Sequence, residues 1–121
     1  MEQVRIWEGV RGVVGGHEVS EFVVVAFEAE RLGSWTALED ERGNRGDTYT
    51  FYRSEGGSII VHIEHWSRWA NELDSAEIEE YDSIESCLVV YRKQLENAGV
   101  VQRRVLTLAE WRANRKDRKE E

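Results

Sequence analysis

Proline is absent from this 121-residue chain, and cysteine occurs once. The lone Cys87 excludes an internal disulfide and any multi-cysteine zinc site. No apolar run approaches the roughly 20 residues that a helix needs to cross a bilayer. The opening EQVRIWEGV has no basic region, apolar core and small-residue cleavage site in series, so it does not read as a signal peptide. Nucleophile elbow, P-loop, dinucleotide fingerprint, HExxH and zinc-finger spacings are all missing. These absences point away from an enzyme and predict no cofactor, no metal and no membrane partner, with a cytoplasmic location as the plain reading. The lack of proline by itself excludes no function.

What is present describes a folded globule. Hydrophobic residues make up 40% of the chain and include five tryptophans, enough for one core but not two. Residues 1–121 therefore read as a single domain, with residues 112–121 a charged and fraying tail. Net charge is −8 and uneven: residues 1–102 carry 9 basic and 20 acidic side chains, and residues 103–121 carry 7 and 4. An acidic body disfavours phosphate backbones and suits solubility or a basic protein partner.

The stretch Asp47 to Trp66, DTYTFYRSEGGSIIVHIEHW, organises the rest. Two arms rich in β-branched and aromatic residues flank a glycine turn, which predicts a β-hairpin. With Glu55-Gly56-Gly57 as a three-residue loop, Phe51 faces Val61 and Tyr49 faces Ile63. Tyr52, Thr50 and Thr48 then face Ile60, His62 and Glu64 on the other side. A four-residue loop would instead put Phe51 opposite Ile60.

Before the hairpin, Val4, Ile6, Val10 and Val14 form a period-2 row interrupted by Glu8, with Gly9 and Gly12 as bulge or bend positions and Gly15-Gly16 as a turn. Glu21 to Leu32, EFVVVAFEAERL, offers a helical stripe after Ser20. Its consecutive valines favour a strand, which Gly33 to Leu38 continues after a kink. Glu39 to Asp47 is a polar loop or a long hairpin tip. After the hairpin, Trp66 and Trp69 close the open end of the core, and Ser75 to Tyr81 reads as an edge strand. Ile84, Cys87, Leu88, Tyr91, Leu95 and Ala98 then mark one stripe of a helix from Ser83 to Ala98, stopped at Gly99. Cys87 lies in that stripe as a small hydrophobe. Val100 to Leu106 is a short strand or connector, and Thr107-Leu-Ala-Glu110 is a capping box opening a second helix anchored by Trp111.

The candidate ligand-binding residues are Thr50, Tyr52, His62, Glu64 and Trp66, which share the mixed face of the hairpin. A carboxylate two residues from an imidazole can orient it for acid–base work; an ordinary half-solvated sheet face is the plainer reading. His65 falls on the opposite face, so it does not chelate with His62. Glu77, Glu79 and Glu80, with Trp111, are the candidate interaction surface. The acidic run also has the spacing of a phosphate mimic, although a solvated edge explains it more simply. Nucleic acid would be met only by the basic tail of Arg112, Arg115, Lys116, Arg118 and Lys119.

The order VVVAFEAERLGSW, then TYTFYRSEGGSIIVHIEHW, then AEIEEYDSIES resembles the β-rich part of EXLDI-type actinobacterial proteins. Those proteins have an apolar strand ending at Trp, a Tyr-rich arm, a Gly turn, a Val-His arm and an acidic YDS step into a helix. The resemblance covers about Val23 to Ser86 and supports the strand assignments. At its start this chain carries VRIWEGVRGVVGG where the family has a ribbon-helix-helix-like segment, so DNA binding is not implied. The family contributes no activity.

The expected fold is α+β: an open antiparallel meander of five or six strands, one amphipathic helix on a face, a short C-terminal helix, and a second face left uncovered. The expected function is a small, non-enzymatic acidic module acting on a protein partner or on itself, of antitoxin, immunity or inhibitor type. The alternative is a small-molecule-binding domain or minor enzyme built around His62 and Glu64.

Overall fold

A computed structural model describes residues 1–103 and 105–120 of the chain, excluding the side chains of 116–120. Five strands come first: β1 (Glu2–Val14), β2 (His17–Leu38), β3 (Arg45–Ser54), β4 (Ile59–Ser67) and β5 (Asp74–Tyr81). Two helices follow, α1 (Ile84–Asn97) and α2 (Leu108–Glu120). Each strand pairs antiparallel with the next, and β1 returns to pair with β5, so the sheet is a closed barrel.

Closure corrects the expected open α+β meander. The molecule is mainly sheet, with two helices appended, and the second face is enclosed rather than bare. It also removes β5 from the edge: Asp74, Ser75 and Ala76 pair with Arg11, Val10 and Gly9 while Ser75 to Tyr81 pair with β4. Gly9 is what lets β1 reach that seam. Its φ of 133° is open to glycine, and a Cβ there would stand 2.3 Å from the Glu21 carbonyl oxygen.

The β3–β4 hairpin has the three-residue loop and the register read from its sequence, Phe51 opposite Val61 and Thr50 opposite His62. The segment from Glu21 to Leu32 is strand, and the kink before Gly33 is a register shift at Leu32. Gly33 itself lies under α1, where a Cβ would stand 2.4 Å from the Ala98 carbonyl oxygen.

Strand alternation sorts the core into two clusters. On the outer face of β3 and β4, Phe51, Ile59, Val61 and Ile63 bury against Cys87 and Leu95 of α1, with Ile84, Leu88, Tyr91 and Ala98 packed around them. Inside the barrel, Tyr52 and Ile60 meet Ile6 and Ala29, with Val4, Phe27 and Ile78 beside them. Helix α1 opens at Ser83, whose side chain accepts from the Ser86 N–H while the Ser86 hydroxyl accepts from the Ser83 N–H. It kinks at Tyr91. Tyr91 and Tyr81 both donate to the Glu79 carboxylate, which fastens the helix to β5.

The described residues from Val100 to Leu106 carry neither strand nor helix, and α2 opens at the Thr107–Glu110 capping box. Lys116, Arg118 and Lys119 of the basic tail have side chains outside the described set.

Leu95 is fully buried, whereas Val89 on the same helix is 86% exposed. Leu95→Ala is expected to destabilise the fold by about 2–5 kcal/mol, and Val89→Ala to change it by no more than about 0.5 kcal/mol. Denaturant unfolding measures both; equal small effects would contradict the helix-on-barrel packing.

Candidate functional site

The polar residues singled out in the hairpin lie where β1 and β5 part company. The backbone ladder between those strands stops at Gly9–Ala76, and side chains take over from there. Glu8 accepts the Ile78 backbone N–H through Oε2 at 3.0 Å. His62 Nε2 lies 2.7 Å from the Trp7 carbonyl oxygen. A carbonyl only accepts, so that nitrogen carries the proton and donates. The Trp7 indole N–H donates to Glu64 Oε2 at 3.3 Å, and Glu64 Oε1 stands 3.6 Å from His62 Nδ1.

His62 and Glu64 are therefore brought together, as their spacing suggests, but with a third member, Trp7. His62 is 4% exposed and Trp7 8%. Trp7 escapes a pattern-based reading because Glu8 breaks the apolar row beside it. The one available signal was an indole one residue from a carboxylate and two from a bend glycine. Arg11 lies over the Trp7 ring at 4.0 Å, and Phe22 meets it edge-on at 5.8 Å between centroids.

The other candidates are spread along the same face. Thr50 is buried, and its hydroxyl shares a hydrogen bond with Ser34. Trp66 is part-buried, and its indole N–H donates to Thr48 Oγ1 at 3.0 Å. Its ring covers Gly46, where a Cβ would come within 2.6 Å of it. Tyr52 packs edge-on against Phe27. Burial pushes its phenol pKa up and Glu64 adds to that, with Arg31 opposing. Of the five, Tyr52 borders a hollow of about 570 Å³, which it shares with Met1, Glu2, Val4, Ala29, Glu30 and Arg31, and Trp66 borders another of about 500 Å³.

Glu79 and Glu80 of the acidic run are engaged within the chain. Glu79 holds the two tyrosines, and Glu80 accepts from Ser58. Glu77 is exposed and approaches His65 Nε2 at 3.4 Å. Trp111 is exposed on α2 with Arg115 over its ring. Among the described residues no group of three or more His, Cys, Asp and Glu is placed to hold a metal ion, and no helix is long and apolar enough to cross a membrane. Burial lifts the Cys87 thiol to about 11, with the Glu79 charge adding to the effect, which disfavours the thiolate a nucleophile needs.

What the barrel leaves unused lies elsewhere, on the β1–β2 ribbon. Phe22, Val23, Val24 and Val25 are exposed, Val23 at 60% and Val24 at 57%. Neighbours on a strand point to opposite faces, so the ribbon is open on both. The run of valines signalled a strand; nothing local signalled that neither face would be covered.

No protein-family model, curated protein or solved structure matches this chain.

His65 gives this region a pH dependence. Burial works against its charged form, but a 2.6 Å hydrogen bond to Asp47 and the charges of Asp47 and Glu77 outweigh that, and its pKa rises above 6.5. A raised folded-state pKa adds stability that is fully present below the unfolded value and lost as pH climbs through the folded one. Wild-type protein is expected to lose melting temperature relative to His65→Asn between about pH 6 and about pH 8. Parallel melting profiles across that window would contradict the pairing.

Proposed function

We propose that this chain is a small, non-enzymatic, acidic interaction module that acts through protein–protein contacts, in the manner of an antitoxin, immunity or inhibitor protein. One observation carries the reading. The residues suited to chemistry are taken up in stitching the barrel, while large apolar side chains stand in water on the β1–β2 ribbon. A cluster of exposed apolar groups rimmed by charge is what a contact surface offers, because burying it against a partner releases water from both. Glu18, Glu21 and Glu28 supply that rim.

A small-molecule-binding domain remains the second reading, favoured by the hollow beside Tyr52 and Arg31. In that case His62 and Glu64 act from behind, setting the electrostatics around the Tyr52 phenol.

Native mass spectrometry of tagged protein recovered from its own host separates the two. Wild type is expected to carry a second polypeptide, which Val23→Asp/Val25→Asp removes and Glu64→Gln does not. A small bound mass that survives the ribbon variant and disappears in Tyr52→Phe would overturn the interaction reading.

A further inference from the structure

The exposed ribbon has an open edge as well as open faces. On one side β2 pairs with β1 along its whole length from His17 to Ala29. On the other side it pairs with β3 only from Ala29 onward. Just before that point the Glu28 carbonyl accepts from the Glu55 N–H. Among the described residues, His17 to Phe27 is therefore an unpaired edge of eleven residues.

Alternation tells which groups face out. Because the Glu28 carbonyl points to the free side, the even-numbered residues Glu18, Ser20, Phe22, Val24 and Ala26 aim their N–H and C=O groups there too. The odd-numbered residues bond to β1. Of the usual protections this edge has only the carboxylates of Glu18 and Glu21 near its start. Proline is absent, no lysine or arginine lies in it, and Phe22 to Phe27 is uncharged throughout.

We propose that the occupant of this edge is a second copy of the chain, pairing β2 with β2 antiparallel about a two-fold axis through Phe22. The proposal rests on the interaction reading above and names its partner. An antiparallel edge is its own complement when the axis is perpendicular to the sheet, since each residue then keeps its face. Phe22 is the midpoint of the free segment, so pairing there engages all eleven residues, from His17 opposite Phe27 to Phe22 opposite itself. The outward even-numbered residues meet outward even-numbered residues: Ser20 meets Val24, and Glu18 meets Ala26. Glu21 falls opposite Val23, so no carboxylate directly opposes another. Moving the axis to Val24 would set Glu18 against Glu30 and run into the β3 pairing. The result is a continuous β1–β2–β2–β1 sheet across the two molecules.

The two Glu21 side chains sit diagonally across the axis, and each molecule carries a net charge of −8. Repulsion opposes the dimer, so its association strengthens as salt is added, the reverse of binding to a basic partner.

Sedimentation equilibrium of the purified chain, with and without salt, tests this. The expected result is a mass of twice 14.1 kDa, more populated at high salt. Val24→Pro removes one outward N–H and spares the bonds to β1; it is expected to weaken association by about tenfold or more. The register is read separately by mixing Ser20→Cys and Val24→Cys proteins under oxidised glutathione. The mixture cross-links because the paired Cα atoms stand about 5.5 Å apart, and neither protein cross-links alone. Native Cys87 is fully buried and stays out of the exchange. A wild type that stays monomeric at every concentration, or a dimer whose Ser20→Cys and Val24→Cys mixture does not cross-link, overturns the inference. If the monomer still takes up a host protein through Val23 and Val25, the interaction reading stands without it; if it takes up none, both fall.

Discussion

The seam between β1 and β5 is the constraint on which the rest of this structure depends. Three residue pairs join the strands, Gly9 with Ala76, Val10 with Ser75 and Arg11 with Asp74. Beyond Gly9 the two backbones separate, and their polar groups would be stranded without other partners. Glu8, His62 and the Trp7–Glu64 pair supply those partners. A buried imidazole facing a carbonyl here acts as a staple, since an unmet backbone group in the interior costs about 1–3 kcal/mol.

Closure in turn decides what the two faces of β3 and β4 do. With β1 folded back, Tyr52 and Ile60 gain Ile6 and Ala29 as neighbours instead of solvent. The opposite face is left for α1, which fills it with Cys87 and Leu95. One hairpin is thereby buried on both sides, which explains why β4 is buried at every position from Ile59 to Ile63. The ribbon bears the cost of this economy: β1 and β2 are longer than the barrel can cover, and their distal halves carry apolar side chains into water.

Local chemistry was legible in the sequence. The glycine turn narrowed the hairpin to two registers, one of them Phe51 with Val61; the valines from Val23 to Val25 favoured a strand over a helix, and Ser83 and Thr107 marked the starts of the two helices. Each is decided by neighbours within a few positions. The i, i+2 relation of His62 and Glu64 was legible for the same reason. Closure was not, because it joins Gly9 to Ala76 from near opposite ends of the sheet, and a bend glycine does not name its partner. Glu8 looked like a fault in an apolar row; it is the group that caps Ile78. Glu79 looked like part of a solvated run, and it instead clamps Tyr81 and Tyr91.

Proton NMR of the labelled protein tests the closed seam most directly. The account predicts cross-strand Overhauser contacts between Gly9 and Ala76 and between Val10 and Ser75. It also predicts a His62 imidazole N–H that exchanges slowly with solvent. Contacts between Phe51 and Val61 without any between Gly9 and Ala76, and a fast-exchanging His62, would mean that the sheet is open and that its mixed face is free after all.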